Sequence, residues 1–279
     1  MICPRCSNEV SESSTSCPSC GTFVEFSNVR LAERPEETAA LELRYHEALA
    51  EADHRKALDR VRDFETAVRN QSQAVVAMDS DILIGLVRRS NTLFTNYQLL
   101  VRAQARQAAL VTNDQRRLAV DGAMWGNLGS EIRYAALSLD HRGLMSYGNC
   151  FATLRNLNIE HRASVLETNS YDFVQASGGG KLPSGYRSKW EKRHLVAVAK
   201  CASLIDGTTA ASAFPEILMR TAPTRSRDEF IEVHIHGAFD FKAIEAVGAV
   251  EASDPLDKDM IRIAKAYVVG AGTKWLEFS

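Results

Sequence analysis

Two Cys-x-x-Cys pairs stand close together at the start of the chain: Cys3-Pro4-Arg5-Cys6, ten intervening residues, then Cys17-Pro18-Ser19-Cys20-Gly21. No other feature limits the local fold so strongly. Four thiolates at this spacing can close a tetrahedron around zinc, and the prolines and Gly21 suit turns that aim backbone amides at sulfur. A site closed by four sulfurs has no open coordination position. Cys3, Cys6, Cys17 and Cys20 are therefore expected to hold a structural Zn and to carry no catalysis. Cys150 and Cys201 lie far apart, and the pattern fits a reducing cytoplasm with a metal site better than a disulfide framework. The first thirty residues hold two Arg against three Glu, which disfavours a metal knuckle that grips phosphates. It favours one that docks on protein or staples the N-terminus.

The knuckles resemble the short zinc ribbons found at bacterial protein termini, and the likeness covers residues 1–24. The whole chain has 279 residues, enough for one sizeable domain and an appendage, or for two modest domains. Hydrophobics at 45% and charges at 24% are those of an ordinary globular protein. No apolar run is long enough to cross a bilayer, and the start lacks a secretory pattern, so a cytoplasmic protein with no membrane partner is expected. A net charge of −2 excludes binding of polyanions by bulk charge, though not by local patches.

Residues 25–34 read as a polar linker. From Pro35 to about Asn70, Leu41, Tyr45, Leu49, Ala52, Ala57, Val61, Phe64 and Val68 recur at near-helical spacing, which predicts one long amphipathic helix, or two with a break near Asp53. This segment, 25–75, serves either as an arm for a partner or as a helix packed along the main domain. A helical block from about Asp79 to Ala109 and a helix from Asn113 or Asp114 to Trp125 follow. Near residue 130 strands take over, at 131–139, 147–154 and 162–166. The loop Ser177-Gly178-Gly179-Gly180-Lys181 lacks the Walker spacing and reads as a lid or a plain surface loop. Residues 181–200 interleave Lys181, Arg187, Lys189, Lys192, Arg193 and Lys200 with Tyr186, Trp190 and His194, a string that fits either a polyanion site or a charged helix face. Helices are predicted at 188–204, 209–220 and 255–269.

The stretch Asp228 to Gly237 is the leading candidate for chemistry. At period two, Ile231, Val233 and Ile235 share one face, and Glu232, His234 and His236 share the other. A carboxylate and two imidazoles are costly to bury, which predicts that they face a cleft. Three chemistries fit such residues. His234 and His236 could bind a hydrolytic metal, but no third ligand stands at a telling spacing. Cys150 or Cys201 could be a nucleophile, yet Cys201 lies in an apolar helix where an inert thiol is expected.

The third chemistry comes from a resemblance. Helices before a β-rich body, the strand Ile132-Arg133-Tyr134, the strand Arg162-Ala163-Ser164-Val165, and Glu232-Val233-His234-Ile235-His236-Gly237 together resemble the mono-ADP-ribosyltransferase superfamily, toxin-like members especially. The resemblance spans residues 76–279 and implies an α+β domain behind the ribbon and helical arm. It implies transfer of ADP-ribose from NAD, with catalytic Glu232 stabilising the sugar cation as nicotinamide leaves. By the same resemblance Arg133 or Arg162 would pair with the pyrophosphate, Tyr147 or Tyr171 would stack on nicotinamide, and Ser164 or Asn169 would brace the site. Arg225, Arg227 and His234 would meet the acceptor, with nucleic acid favoured and protein possible. A toxin or phage-defence effector of this kind implies a neutralising antitoxin protein. Phe230 stands where arginine-modifying members carry Glu or Gln, and the Ser-Thr-Ser pattern is missing. The competing expectation is a non-catalytic zinc-ribbon module that binds nucleic acid or protein.

Overall fold

The computed structural model describes residues 1–11, 14–88, 92–94, 111–178, 182–222, 227–252 and 254–278, with side chains described from 117 onward in the helix that starts at Val111. Ten α-helices and one eight-stranded sheet are seen among them. The helices are α1 (Ser27–Ala32), α2 (Pro35–His54), α3 (Leu58–Gln71), α4 (Ser80–Arg88), α5 (Val111–Trp125), α6 (Asn156–Ile159), α7 (Ser170–Ala176), α8 (Arg193–Cys201), α9 (Phe214–Leu218) and α10 (Pro255–Gly270). The strands are β1 (Gln73–Met78), β2 (Ile132–Ser138), β3 (Cys150–Leu154), β4 (Ala163–Leu166), β5 (Arg187–Lys189), β6 (Glu232–His236), β7 (Ile244–Ala249) and β8 (Lys274–Glu277).

The spatial order is β5-β4-β6-β2-β1-β3-β7-β8. Each neighbouring pair is antiparallel except β7 and β8, which run parallel across the α10 connection. An α+β architecture follows, as expected. The strands at 132–138, 150–154 and 163–166 fall inside the expected ranges, and α10 starts at Pro255, with the Asp254 side chain accepting from the amides of Leu256 and Asp257.

Two sequence readings are corrected here, those for 25–34 and 187–189. The polar linker at 25–34 contains helix α1, in which Ser27, Asn28, Val29 and Ala32 are buried. Over 35–70 the two-helix alternative holds: the helices are separated at Arg55–Ala57, next to the expected break near Asp53, and both pack on α8. The expected start of the body at 76 falls inside β1, which lies at the middle of the sheet between β2 and β3. Residues 187–189, placed at a helix start, form edge strand β5, and the helix begins at Arg193.

One face of the sheet carries Ala74, Val76, Ala135, Leu137, Ala152, Val165, Val233 and Ile235 against α2, α3 and α8. Helix α3 buries Val61, Phe64, Glu65 and Val68, the i, i+3, i+4, i+7 pattern of a helix seated on a core. The opposite face has a smaller core of Val120, Met124, Trp125, Ile132, Leu166 and Phe173 under α5 and α7. Gly148 belongs where β3 begins because a Cβ there would lie 2.3 Å from the Met78 carbonyl carbon.

The basic string at 181–200 points inward. Arg187 pairs with Glu37 at 3.2 Å, Lys189 with Glu33 at 2.7 Å and Lys192 with Glu42 at 3.6 Å. Arg193 donates to the Ser72 hydroxyl and to the carbonyls of Trp190 and Arg69, and Lys200 donates to the carbonyls of Glu167 and Phe230. These cations tie β5 and α8 to the acidic helices in front of them. Lys181 lies outside the described residues.

Two expectations follow from this packing. Asn28→Ala removes the amide that donates to the carbonyls of Arg162 and His234 and to Ser164 Oγ, and should lower unfolding stability by about 1–3 kcal/mol in urea titrations. Burial first, and the nearby Arg69 charge second, lower His194 from 6.5 to about 4. The native state therefore holds His194 neutral where the unfolded chain binds a proton. Its contribution to stability is complete above pH 6.5 and is lost as pH falls toward 4, on the order of 3 kcal/mol in all. Urea midpoints between pH 4 and 7 should fall more steeply for wild type than for His194→Gln; equal slopes would contradict this.

Candidate functional site

Two arrangements among the described residues can carry chemistry. The first is the cysteine tetrad. Ligand atoms of Cys3, Cys6, Cys17 and Cys20 all lie within 4.8 Å of one another, with Cys3 Sγ 3.7 Å from Cys20 Sγ and Cys6 Sγ 3.5 Å from Cys17 Sγ. A zinc ion with sulfur at about 2.3 Å sets tetrahedral edges of about 3.8 Å, so the donor set fits a closed four-sulfur metal site. The Thr22 hydroxyl and amide lower Cys20 to about 6. Cys6 is lowered by the Asn8 amide but raised more by burial and the other three sulfurs, to about 12. Protons held by such a crowded tetrad are displaced by a divalent cation. Behind the sulfurs, Arg30 Nη1 donates to the carbonyls of Ser14, Val24 and Glu25, which anchors the ribbon to α1.

The second arrangement surrounds Glu232. Strand β6 lies between β2 and β4, with Glu232 beside Ala136 and Leu166, and His234 beside Tyr134 and Ser164. Ile231, Val233 and Ile235 face the main core, as the alternation predicts. The other face is no open cleft: Glu232 is 7% exposed and His234 1%. The correction is physical, because α5 and α7 cover that face.

Hydrogen bonds offset the cost of burying the carboxylate. Glu232 Oε2 accepts from the Ser170 amide at 2.9 Å and lies 2.9 Å from His234 Nε2. That amide belongs to the first turn of α7, where N–H groups have no partner within the helix. The indole of Trp125 meets the His234 ring edge-on at 4.8 Å, and its Nε1 donates to the Tyr134 hydroxyl. Tyr134 donates in turn to Asp121. Burial raises Asp121, with Glu232 adding to the rise, and burial together with the Asp121 and Glu232 charges raises Tyr134 well above its ordinary value. Asp172 is raised by burial and by Glu232.

Some expected site residues gather here. Asn169 caps α7 by accepting from the Tyr171 amide, and its Nδ2 donates to the Tyr147 hydroxyl at 3.2 Å. Asn169, Tyr147 and Tyr171 thus sit beside the segment that holds Glu232. Others point elsewhere. Arg162 Nη1 donates to the carbonyls of His236 and Ala238, and Gly237, at φ +77°, makes the turn that presents them. Arg133 is buried and donates to the Ser130 carbonyl. Ser164 accepts from Asn28. A pyrophosphate would have to displace these bonds to reach either arginine. Arg227 is exposed, and Arg225 lies outside the described residues.

Asp121, Trp125 and Tyr134 belong to the same network although the sequence did not single them out. Alternation in 132–138 puts Tyr134 on the face of Ile132, but nothing local announces that α5 brings Asp121 to it. The thiol alternative fails on environment: burial raises Cys150 and Cys201 each to about 12, which leaves them protonated and inert. His234 and His236 belong to no group of three or more metal-binding side chains among the described residues; the cysteine tetrad does. No described helix is long and apolar enough to cross a membrane.

No protein-family model matches the chain, and no significant match was found among curated proteins. The tetrad carries a direct expectation. Purified protein should contain about one equivalent of zinc, and Cys3→Ser should lose most of it. Metal-free wild-type protein in elemental analysis would refute the site.

Proposed function

We propose that this chain transfers ADP-ribose from NAD to a macromolecular acceptor, nucleic acid in the first place, with Glu232 as the reacting carboxylate. The observation that carries the reading is the fixation of Glu232 between the Ser170 amide and His234 Nε2, each at 2.9 Å, in a strand where an apolar residue would pack more cheaply. Asn169 and Tyr171 flank Ser170 in the chain and Asn169 bonds the Tyr147 hydroxyl, so these residues are within reach of the roles the resemblance gives them. In the reaction, the bond from nicotinamide to the ribose C1′ breaks and its electron pair leaves with the base. A fixed carboxylate stabilises the positive charge left on the sugar until an acceptor atom bonds to C1′ and releases its proton. Such an activity in the cytoplasm fits a toxin or phage-defence effector restrained by an antitoxin protein.

A specific observation favours a second reading. The cavity of about 570 Å³ at the ribbon–body seam is lined by Trp125, Arg34 and Arg187, and Glu232 is not among its walls. A non-catalytic binding module needs no more than that. Calorimetric titration with NAD, followed by assay for released nicotinamide, separates the two. The transferase should bind and turn over NAD, and Glu232→Gln should lower turnover at least about 100-fold with an unchanged circular dichroism spectrum. Wild-type protein without turnover, or a mutant with full turnover, would sink the assignment.

A further inference from the structure

We infer that the outer face of helix α10 docks on the same face of a second copy of this chain, antiparallel and about a two-fold axis. The helix has two unlike sides. Ala264 and Val268 are buried in the main core, and the helix packs on α4 and β8. Leu256, Ile263 and Tyr267 stay exposed, at 71%, 37% and 39%. With the partly buried Met260 they stand at 256, 260, 263 and 267, a spacing of four, three and four that gathers side chains into one stripe along a helix. Apolar side chains scattered singly over a surface need no partner, whereas a continuous stripe marks an interaction face.

Charge decides which partner fits. From 254 to 259, Asp254, Asp257 and Asp259 stand against Lys258, three acids to one base, net −2. From 260 to 270, Arg262 and Lys265 stand with no acid, net +2. These side chains have neighbours already: Arg262 lies 3.4 Å from Asp259, and Lys265 pairs with Glu277. Both pairs sit in solvent, where such contacts contribute little, so the helix keeps an acidic and a basic half.

A parallel pairing of two such helices would set acid beside acid. An antiparallel pairing sets the acidic half of each copy beside the basic half of the other and opposes the two helix dipoles favourably. It also lays Leu256 of one copy over Tyr267 of the other, and Met260 over Ile263. A patch that complements itself under a two-fold rotation is what an isologous dimer requires, and this one does so in both shape of stripe and sign of charge. Three strands separate β6 from β7, and α10 joins β7 to β8, so the face lies away from Glu232 and is independent of NAD turnover. A helix about 24 Å long covers less than the roughly 800 Å² that each partner gives to a standard interface, so a dissociation constant on the order of 10 μM is expected.

Sedimentation equilibrium of the intact, zinc-loaded chain from about 1 to 300 μM tests this. The mass should rise from one chain toward two. Ile263→Glu, at an exposed position, should weaken the dimer at least about tenfold with an unchanged circular dichroism spectrum. Two charge variants probe the orientation. Asp257→Lys with Asp259→Lys makes the whole face basic, and Arg262→Glu with Lys265→Glu makes it acidic. Each variant alone should stay monomeric, and an equimolar mixture of the two should associate at least as tightly as wild type. Wild-type protein that is monomeric throughout, a dimer that survives Ile263→Glu, or a mixture that remains monomeric would overturn the inference.

Discussion

A carboxylate set in the middle of a sheet that is covered on both faces is the constraint around which this molecule is arranged. Strand β6 has a neighbour on each side, so Glu232 cannot swing past an edge into water. Removed from water without partners, it would be protonated or would destabilise the fold by several kcal/mol, on the order usual for buried charge. The surrounding elements provide what water would have given. Helix α7 directs a first-turn amide at the carboxylate, His234 supplies a ring nitrogen from the same strand, and Trp125 shields the imidazole. Asp121 and Tyr134 extend the network to α5. The second core forms around this polar strand as much as by apolar contact.

The same rule operates on the opposite face. Arg193 is buried, and its guanidinium reaches Ser72 Oγ and the Arg69 carbonyl at the end of α3, and the Trp190 carbonyl just before α8. A cation placed at a helix C-terminus meets carbonyls that lack partners within the helix. Glu65, also buried, accepts from Tyr45, Arg62 and Arg69. Removing one member of such a set leaves the other charged and unpaired, which costs more than the pair contributes when intact. Dense basic sequence at 187–200 therefore describes how two helical layers are joined. It says little about a polyanion outside.

These particulars explain what the sequence made legible. Alternation in 231–236 assigned Ile231, Val233 and Ile235 to the main core correctly, because period two follows from backbone geometry alone. The same alternation could not say what covers the other face, since α5 and α7 come from segments about 110 and 60 residues earlier in the chain. Strand β1 escaped detection because Ala74-Val75-Val76-Ala77-Met78 is a short apolar run that suits a buried helix as well as a strand. Strand β5 escaped because Arg187-Ser188-Lys189 has no strand propensity; pairing with β4 fixes it. Helix α1 looked like a linker since its key residue, Asn28, is polar. Its burial is explained only by carbonyls more than a hundred residues away. The zinc ligands were readable because their chemistry lies wholly in local spacing.

Contacts from the N-terminal segment place the ribbon in mechanical relation to β6. Phe26, between ribbon and α1, packs at a tilt against His236 at 4.9 Å and against His161 at 6.0 Å, and meets Phe23 edge-on at 5.2 Å. Asn28, two residues on, holds the carbonyl of His234. A metal in the tetrad would fix the chain just before these residues, while Arg30 carries the connection through the Val24 and Glu25 carbonyls. Loss of the metal would release the anchor of α1, and α1 in turn covers β4, β5 and β6. A metal site that closes its own coordination sphere can therefore govern the strand that carries Glu232 without contributing a ligand to it. The contact path from the ribbon to that strand runs through α1, whose Asn28 is bonded to the sheet directly.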